Sequence, residues 1–245
     1  MMSVTSVARL PPGGLPAAVT AQAAPERGTR SLRVDGLVKE YHTAIGVRRV
    51  LDGISFDVQE GEKVGVLGRN GSGKTTLVKL IGGVEVPTSG TIHHGMFTSW
   101  PVGLLGGVTG LMTGAASVRF IARLYGCDAS EMVDFVNDFA ELGRQIENPI
   151  ETYSSGMRAR LTFALSLAVD FECFLIDEVF AVGDQRFHRK CHDALFHKRR
   201  HRAMILVSHS TGIIREYCRK VLVLKAGRGK VFDDLDLAVS IYNTL

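Results

Sequence analysis

The apolar positions of the chain change period several times, and each change marks an element. Leu32 and Val34, and later Ile54, Phe56 and Val58, alternate with polar neighbours as half-buried strands do. The pair Glu60-Gly61 interrupts, and residues 63–67 then read as a strand running directly into a glycine-rich turn. After that turn, residues 76–81 carry helical spacing that Gly82-Gly83 closes. Residues 117–125 and 130–142 predict helices, the second with Met132, Val133, Phe135, Val136 and Phe139 on its apolar side and Gly143 at its end. Short unbroken apolar runs at 173–176 and 203–207 predict buried strands with helices between them. Residues 221–224 and 230–232 flank Ala226-Gly227-Arg228-Gly229 and predict a closing hairpin. There is no internal repeat and no heptad run.

Residues 95–118 hold no charged side chain, so a membrane span has to be weighed. Gly95, Gly103, Gly106, Gly107, Gly110, Gly114 and Pro101 interrupt the stretch, whereas a span needs about 20 predominantly apolar residues. A glycine-rich loop at a partner surface is the better use of so much backbone freedom. Residues 1–30, rich in Pro, Gly and Ala, predict a mobile tail whose apolar runs are too short for a signal peptide, with a transit peptide as the minor alternative.

Composition narrows the class. Among 245 residues, 45% are hydrophobic, which fills a core and argues against a disordered chain. The formal charge of +4 permits an anionic partner without demanding nucleic acid. The four cysteines, Cys127, Cys173, Cys191 and Cys218, have no paired spacing, so neither a disulfide framework nor a zinc knuckle is suggested and a reducing cytosol fits.

Gly68, Arg69, Asn70, Gly71, Ser72, Gly73, Lys74 and Thr75 spell the complete phosphate-loop pattern between a strand and a helix. Its glycines let backbone N–H groups converge on a phosphate, Lys74 reaches the β- and γ-phosphates, and the Thr75 hydroxyl ligates Mg²⁺. Asp177 and Glu178 end an apolar strand. They are either two acids capping a strand at solvent or, coupled to the loop, a Mg²⁺ ligand and the general base that polarises an attacking water. Ser154 or Ser155, followed by Gly156, caps the helical pattern after Tyr153, and a hydroxyl at a helix N-terminus is also an anion site. His209 follows the strand at 203–207. His188/His192 and His197/His201 have four-residue spacings within a basic stretch. A solvated helix face is the ordinary reading, with a metal site or a lipid or nucleic-acid contact as alternatives.

Taken in order, the phosphate loop, Tyr153–Arg158, Cys173–Glu178, Ala181-Val182-Gly183-Asp184 and Ser208-His209-Ser210 resemble the motifs of ABC-transporter ATPases over about residues 31–245. Ser99-Trp100-Pro101, residues 153–160 and residues 176–184 are similar to the ATP-binding subunits that export capsular polysaccharide, and somewhat less to those for O-antigen and teichoic acid. The resemblance implies an α/β P-loop fold with a mostly parallel core sheet, an antiparallel β part near the N-terminus and a helical subdomain over about residues 100–156. It implies ATP and Mg²⁺ as ligands, with Tyr41 stacking on adenine, Thr76 beside the loop, and Thr75 and Asp177 on the metal. Glu178, His209 and Lys74 are the expected catalytic residues, and Asp184 belongs to the loop after the acidic pair.

Two copies of the chain would sandwich ATP, with Ser154, Ser155 and Gly156 of one facing the phosphate loop of the other. A transmembrane permease would carry a lipid-linked polysaccharide, placing the subunit on the cytoplasmic face of the inner membrane, with no nucleic-acid partner. Where the family carries a metal-sensing glutamine, this chain has Thr109, so slower or less tightly coupled hydrolysis is expected. A DNA-maintenance ATPase would need a long coiled coil between the loop and Tyr153, and a soluble kinase would have no use for residues 153–158. A nucleotide-sensing module without turnover is the remaining alternative.

Overall fold

The computed structural model describes residues 30–44, 46–103, 110–177 and 184–245. Two sheets carry the fold. Strands β1 (Ser31–Thr43), β2 (Gly46–Gln59) and β4 (Ser89–His94) form a three-stranded antiparallel sheet in the order β2-β1-β4. Its register sets Leu32 opposite Val58, Val34 opposite Phe56 and Leu37 opposite Ile54, so the alternating apolar positions share one buried face.

The second sheet has six strands in the order β5-β6-β7-β3-β8-β9. Here β3 is Lys63–Gly68, β5 Thr98–Pro101, β6 Cys173–Asp177, β7 Ala203–Val207, β8 Lys220–Lys225 and β9 Arg228–Phe232. All pairings are parallel except β8 with β9, the predicted hairpin. Apolar runs such as Ala203–Val207 are buried along their whole length because both faces are covered. Cys173 and Leu175 face the antiparallel sheet and helix α1 (Lys74–Ile81), while Phe174 and Ile176 pack into the helical layer.

That layer contains α2 (Gly114–Tyr125), α3 (Ala129–Ala140), α4 (Ser155–Ala168), α5 (Gln185–His192), α6 (Thr211–Tyr217) and α7 (Leu235–Asn243). Three details differ from the sequence expectations. Helix α2 begins at Gly114, before residue 117, because the Thr113 hydroxyl accepts from Ala116 N at 3.1 Å. Helix α3 ends in a left-handed Glu141 (φ 55°), not at Gly143. Turning there delivers Leu142 into the core, and Lys190 Nζ donates to the Phe139 carbonyl (2.9 Å), the Asp138 carbonyl (3.2 Å) and Glu141 Oε1 (3.1 Å). Helix α5 ends at His192. Residues 193–197 form a wide π-type turn closed by Lys198 N donating to Asp193 O (3.0 Å), so His197 and His201 do not share an α-helical face.

Candidate functional site

Parallel register gathers the chemistry at one edge of the large sheet. Val66 on β3 pairs with Val207 on β7, and Val207 pairs with Asp177 on β6. Gly68, Asp177 and His209 therefore leave the sheet at the carboxyl ends of three adjacent strands, where open α/β sheets bind ligands.

The loop after β3 is built on backbone that side chains would spoil. Gly73 has φ 106° and is the N-cap of α1, and a Cβ there would lie 2.6 Å from Leu51 Cδ2 and 3.0 Å from Val50 O. A Cβ on Gly68 would come 2.7 Å from Leu224 O. No side chain caps α1, and its first turn has no acidic residue, so its N–H groups present uncompensated positive charge. Lys74 is 7% exposed, and its ammonium donates to Gly68 O (2.7 Å) and Arg69 O (3.2 Å), folding back across the loop. Ser72 Oγ is buried without a hydrogen-bond partner. An orphaned hydroxyl, an open helix end and a folded-back ammonium fit a bound phosphate chain. The exposed Thr75 hydroxyl and the half-buried Asp177 carboxylate are hard oxygen donors of the kind Mg²⁺ takes.

Tyr41 lies near the end of β1, and its hydroxyl donates to Glu85. Burial and that bond push its phenol pKa up, against a smaller pull from a hydrogen bond with Thr76. The Thr76 contact brings the aromatic ring to the first turn of α1, while Lys39 Nζ covers one ring face at 4.9 Å from the centroid. Arg69 Nη1 donates to Leu245 O at 2.9 Å, and Asn70 is exposed.

Ser154 resolves the choice of cap: its hydroxyl accepts from Met157 N at 3.2 Å, and Ser155 is the first residue of α4. The motif is anchored from behind. Tyr153 is buried, its hydroxyl donates to Gln145 O (2.7 Å), and its carbonyl accepts from Arg158 Nη2 (3.1 Å) and Nε (3.3 Å). Ser154 and Ser155 themselves are exposed, and α4 packs on α3. Asp184 caps α5, its carboxylate accepting from Phe187 N at 2.8 Å, and that bond holds its pKa below the ordinary aspartate value. Glu178, Ala181 to Gly183 and Thr109 lie outside the described residues, as do residues 1–29.

His209 is exposed and its Nδ1 lies 3.2 Å from the Tyr242 hydroxyl. Neither Tyr242 nor Glu85, the partner of Tyr41, stood out in the sequence, and no local motif marks them. His192 packs against Tyr217 (ring centroids 5.5 Å) with Nε2 3.1 Å from its hydroxyl. No group of His, Cys, Asp and Glu among the described residues is arranged to hold a metal ion. No helix among them is long and apolar enough to cross a membrane.

Comparison with known proteins adds a second line. The ABC transporter family profile matches residues 51–181. The chain is 50% identical over 212 residues to the ATP-binding protein BexA of Haemophilus influenzae, covering 86% of this chain and 98% of that protein. It is 50% identical over 214 residues to the capsule polysaccharide export ATP-binding protein CtrD of Neisseria meningitidis serogroup B, covering 87% and 99%. It is 43% identical to the polysialic acid transport ATP-binding protein KpsT of Escherichia coli, covering 86% and 98%. Among solved structures, an ATP-binding subunit of an ABC transporter superposes with TM-score 0.71 at 22% identity, covering 86% of this chain and 99% of that one. The dimeric ABC cassette MJ0796 superposes with TM-score 0.65 at 19% identity, covering 81% and 97%. At such identities the superpositions speak for the fold.

Proposed function

This chain belongs to the ABC-transporter ATP-binding family, and from that premise we propose that it is the ATP-hydrolysing subunit of a capsular-type polysaccharide exporter. It is an ABC-type ATPase domain that binds ATP. The observation that carries the chemical reading is the register that puts Gly68, Asp177 and His209 on one sheet edge. Half identity to BexA and CtrD over nearly their whole lengths supports the export role. The teichoic acid exporter TagH of Bacillus anthracis, at 36% identity, is a more distant relative.

In this reading Tyr41 stacks on adenine and residues 68–76 wrap the phosphates. Lys74 turns from the Gly68 and Arg69 carbonyls to the β- and γ-phosphates, exchanging two neutral acceptors for anionic ones. A Mg²⁺ held by Thr75 and Asp177 would offset charge on the triphosphate. Glu178 accepts the proton of the attacking water while His209 contacts the γ-phosphate. Ser154, Ser155 and Gly156 act on the nucleotide of a second copy, which the exposure of those serines permits. Asp184 joins the same interface through the backbone it fixes as the cap of α5. The described chain offers outward Leu111, Phe120 and Leu124 around the start and one face of α2, an apolar surface for a membrane permease. Docking there would hold the subunit on the cytoplasmic face of the inner membrane.

The Glu178→Gln protein tests the chemistry. It should bind ATP, dimerise on it, and hydrolyse it at least about 100-fold more slowly, since a positioned base contributes that much or more. Undiminished phosphate release removes the assignment. For the cargo, a strain lacking the gene should lose surface polysaccharide and regain it with the wild-type chain but not with Glu178→Gln.

A further inference from the structure

Helix α7 touches both ends of the candidate nucleotide site. Asp234 caps it, accepting from Asp236 N and Leu237 N at 3.0 Å each. Ala238 and Val239 are buried, and Tyr242, one turn further along the same face, is packed against the same core together with Ile241 and Leu245. From this anchored position the Tyr242 hydroxyl reaches His209 Nδ1 at 3.2 Å. Three residues later the Leu245 carbonyl receives Arg69 Nη1 of the phosphate loop at 2.9 Å. Arg215 Nη2 and Asp236 Oδ1, 2.9 Å apart, tie the beginning of α7 to α6, the helix that follows His209.

We propose that Tyr242 is a positioning residue for His209, fixing both its ring orientation and its tautomer. The exposed imidazole lies on a short connection between β7 and α6, and Tyr242 engages its Nδ1 from a ring that is itself held by packing. In the proposed pairing the phenol donates. Nδ1 is then the bare nitrogen and Nε2 bears the hydrogen, the form that donates to a phosphate oxygen. The Arg69–Leu245 bond refers the phosphate loop to the same helix end, so α7 sets the spacing between the loop and the histidine. This proposal rests on the ATPase reading above.

The test is Tyr242→Phe in the full-length protein, a change that removes one hydroxyl and keeps the packed ring. Nitrogen-detected NMR of His209 should show the Nε2–H form in the wild type and a mixture of both tautomers in the variant. Turnover should fall about three- to tenfold, the worth of one such hydrogen bond, while KM for ATP stays within about twofold. In a His209→Ala background the same Tyr242→Phe change should cost nothing further. An unchanged tautomer, or a loss that persists without His209, overturns the proposal and leaves Tyr242 as packing. A wild-type protein that fails to hydrolyse ATP would instead remove the ATPase reading, and the tautomer measurement would still decide the pairing.

Discussion

Helices α1 and α4 both begin in residues proposed to meet ATP, yet they begin in opposite ways. Helix α1 starts on a glycine in a left-handed conformation with no side-chain cap, and the buried Ser72 hydroxyl beside it has no partner. Helix α4 starts on Ser154, whose own hydroxyl closes onto Met157 N. The first end lacks groups that a phosphate would supply, so on the proposed function a ligand would complete the loop. The second is satisfied by its own hydroxyl and exposed, as the proposed contact with a nucleotide carried by another copy requires. On the proposed function, the first end is left open for a nucleotide in cis and the second is already closed before contact in trans.

The largest effect should come from adding one methyl group to each end. Gly73→Ala places a Cβ where φ is 106° and Leu51 Cδ2 is 2.6 Å away, so the loop must move. A destabilisation of about 1–3 kcal/mol is expected in chemical denaturation, together with loss of detectable ATP binding. Gly156→Ala meets only Ser154 Oγ, at 4.0 Å, in a helical position where alanine is the better residue. Its stability should be equal or slightly higher and its ATP affinity unchanged, while hydrolysis and ATP-driven dimerisation fall. If the two substitutions proved equally destabilising, the contrast between the two helix ends would be wrong.

A smaller and more specific separation is expected from Ser154→Ala. Losing the N-cap should cost about 1 kcal/mol in unfolding free energy. Turnover should drop at least about tenfold, the range for one donor to a transition-state oxygen, with fluorescent-nucleotide affinity of the monomer within about twofold of wild type. Equal losses in binding and turnover would place Ser154 on the nucleotide of its own chain.

These contrasts show which parts of the molecule local sequence could announce. The alternation of Leu32, Val34, Ile54, Phe56 and Val58 was readable because one sheet face meets the core and the other meets water. The phosphate loop was readable because its geometry needs glycine at fixed spacing. Strand β5 was not: it is four residues long, ends in Pro101 and lies in an uncharged glycine-rich stretch. It holds its place through a buried Ser99 hydroxyl that accepts from Leu175 N at 2.9 Å, a partner 76 positions away. The start of α2 was hidden for the related reason that Gly114, Ala115 and Ala116 carry no apolar period. Tyr242 is the same problem in the site itself, since its meaning comes from a contact across 33 positions.

The smallest effect belongs to a third helix end, which completes the series. Helix α5 is capped by Asp184, so it carries its own anion where α1 leaves the place open and α4 offers a neutral hydroxyl. The Phe187 N–H bond lowers the folded pKa of Asp184 below its unfolded value, which makes the carboxylate form stabilising. That contribution is fully present above the unfolded value, about 3.9, and is lost as pH falls through the lower folded value. Asparagine accepts the same bond without titrating. The stability difference between wild type and Asp184→Asn should therefore be flat from about pH 7 down to about pH 5 and shrink below about pH 4, measured by urea unfolding across that range. A difference that grew on acidification would mean that the charge of Asp184 opposes folding. The ordering of the three ends, from open through hydroxyl-capped to self-filled, would then lose its last member.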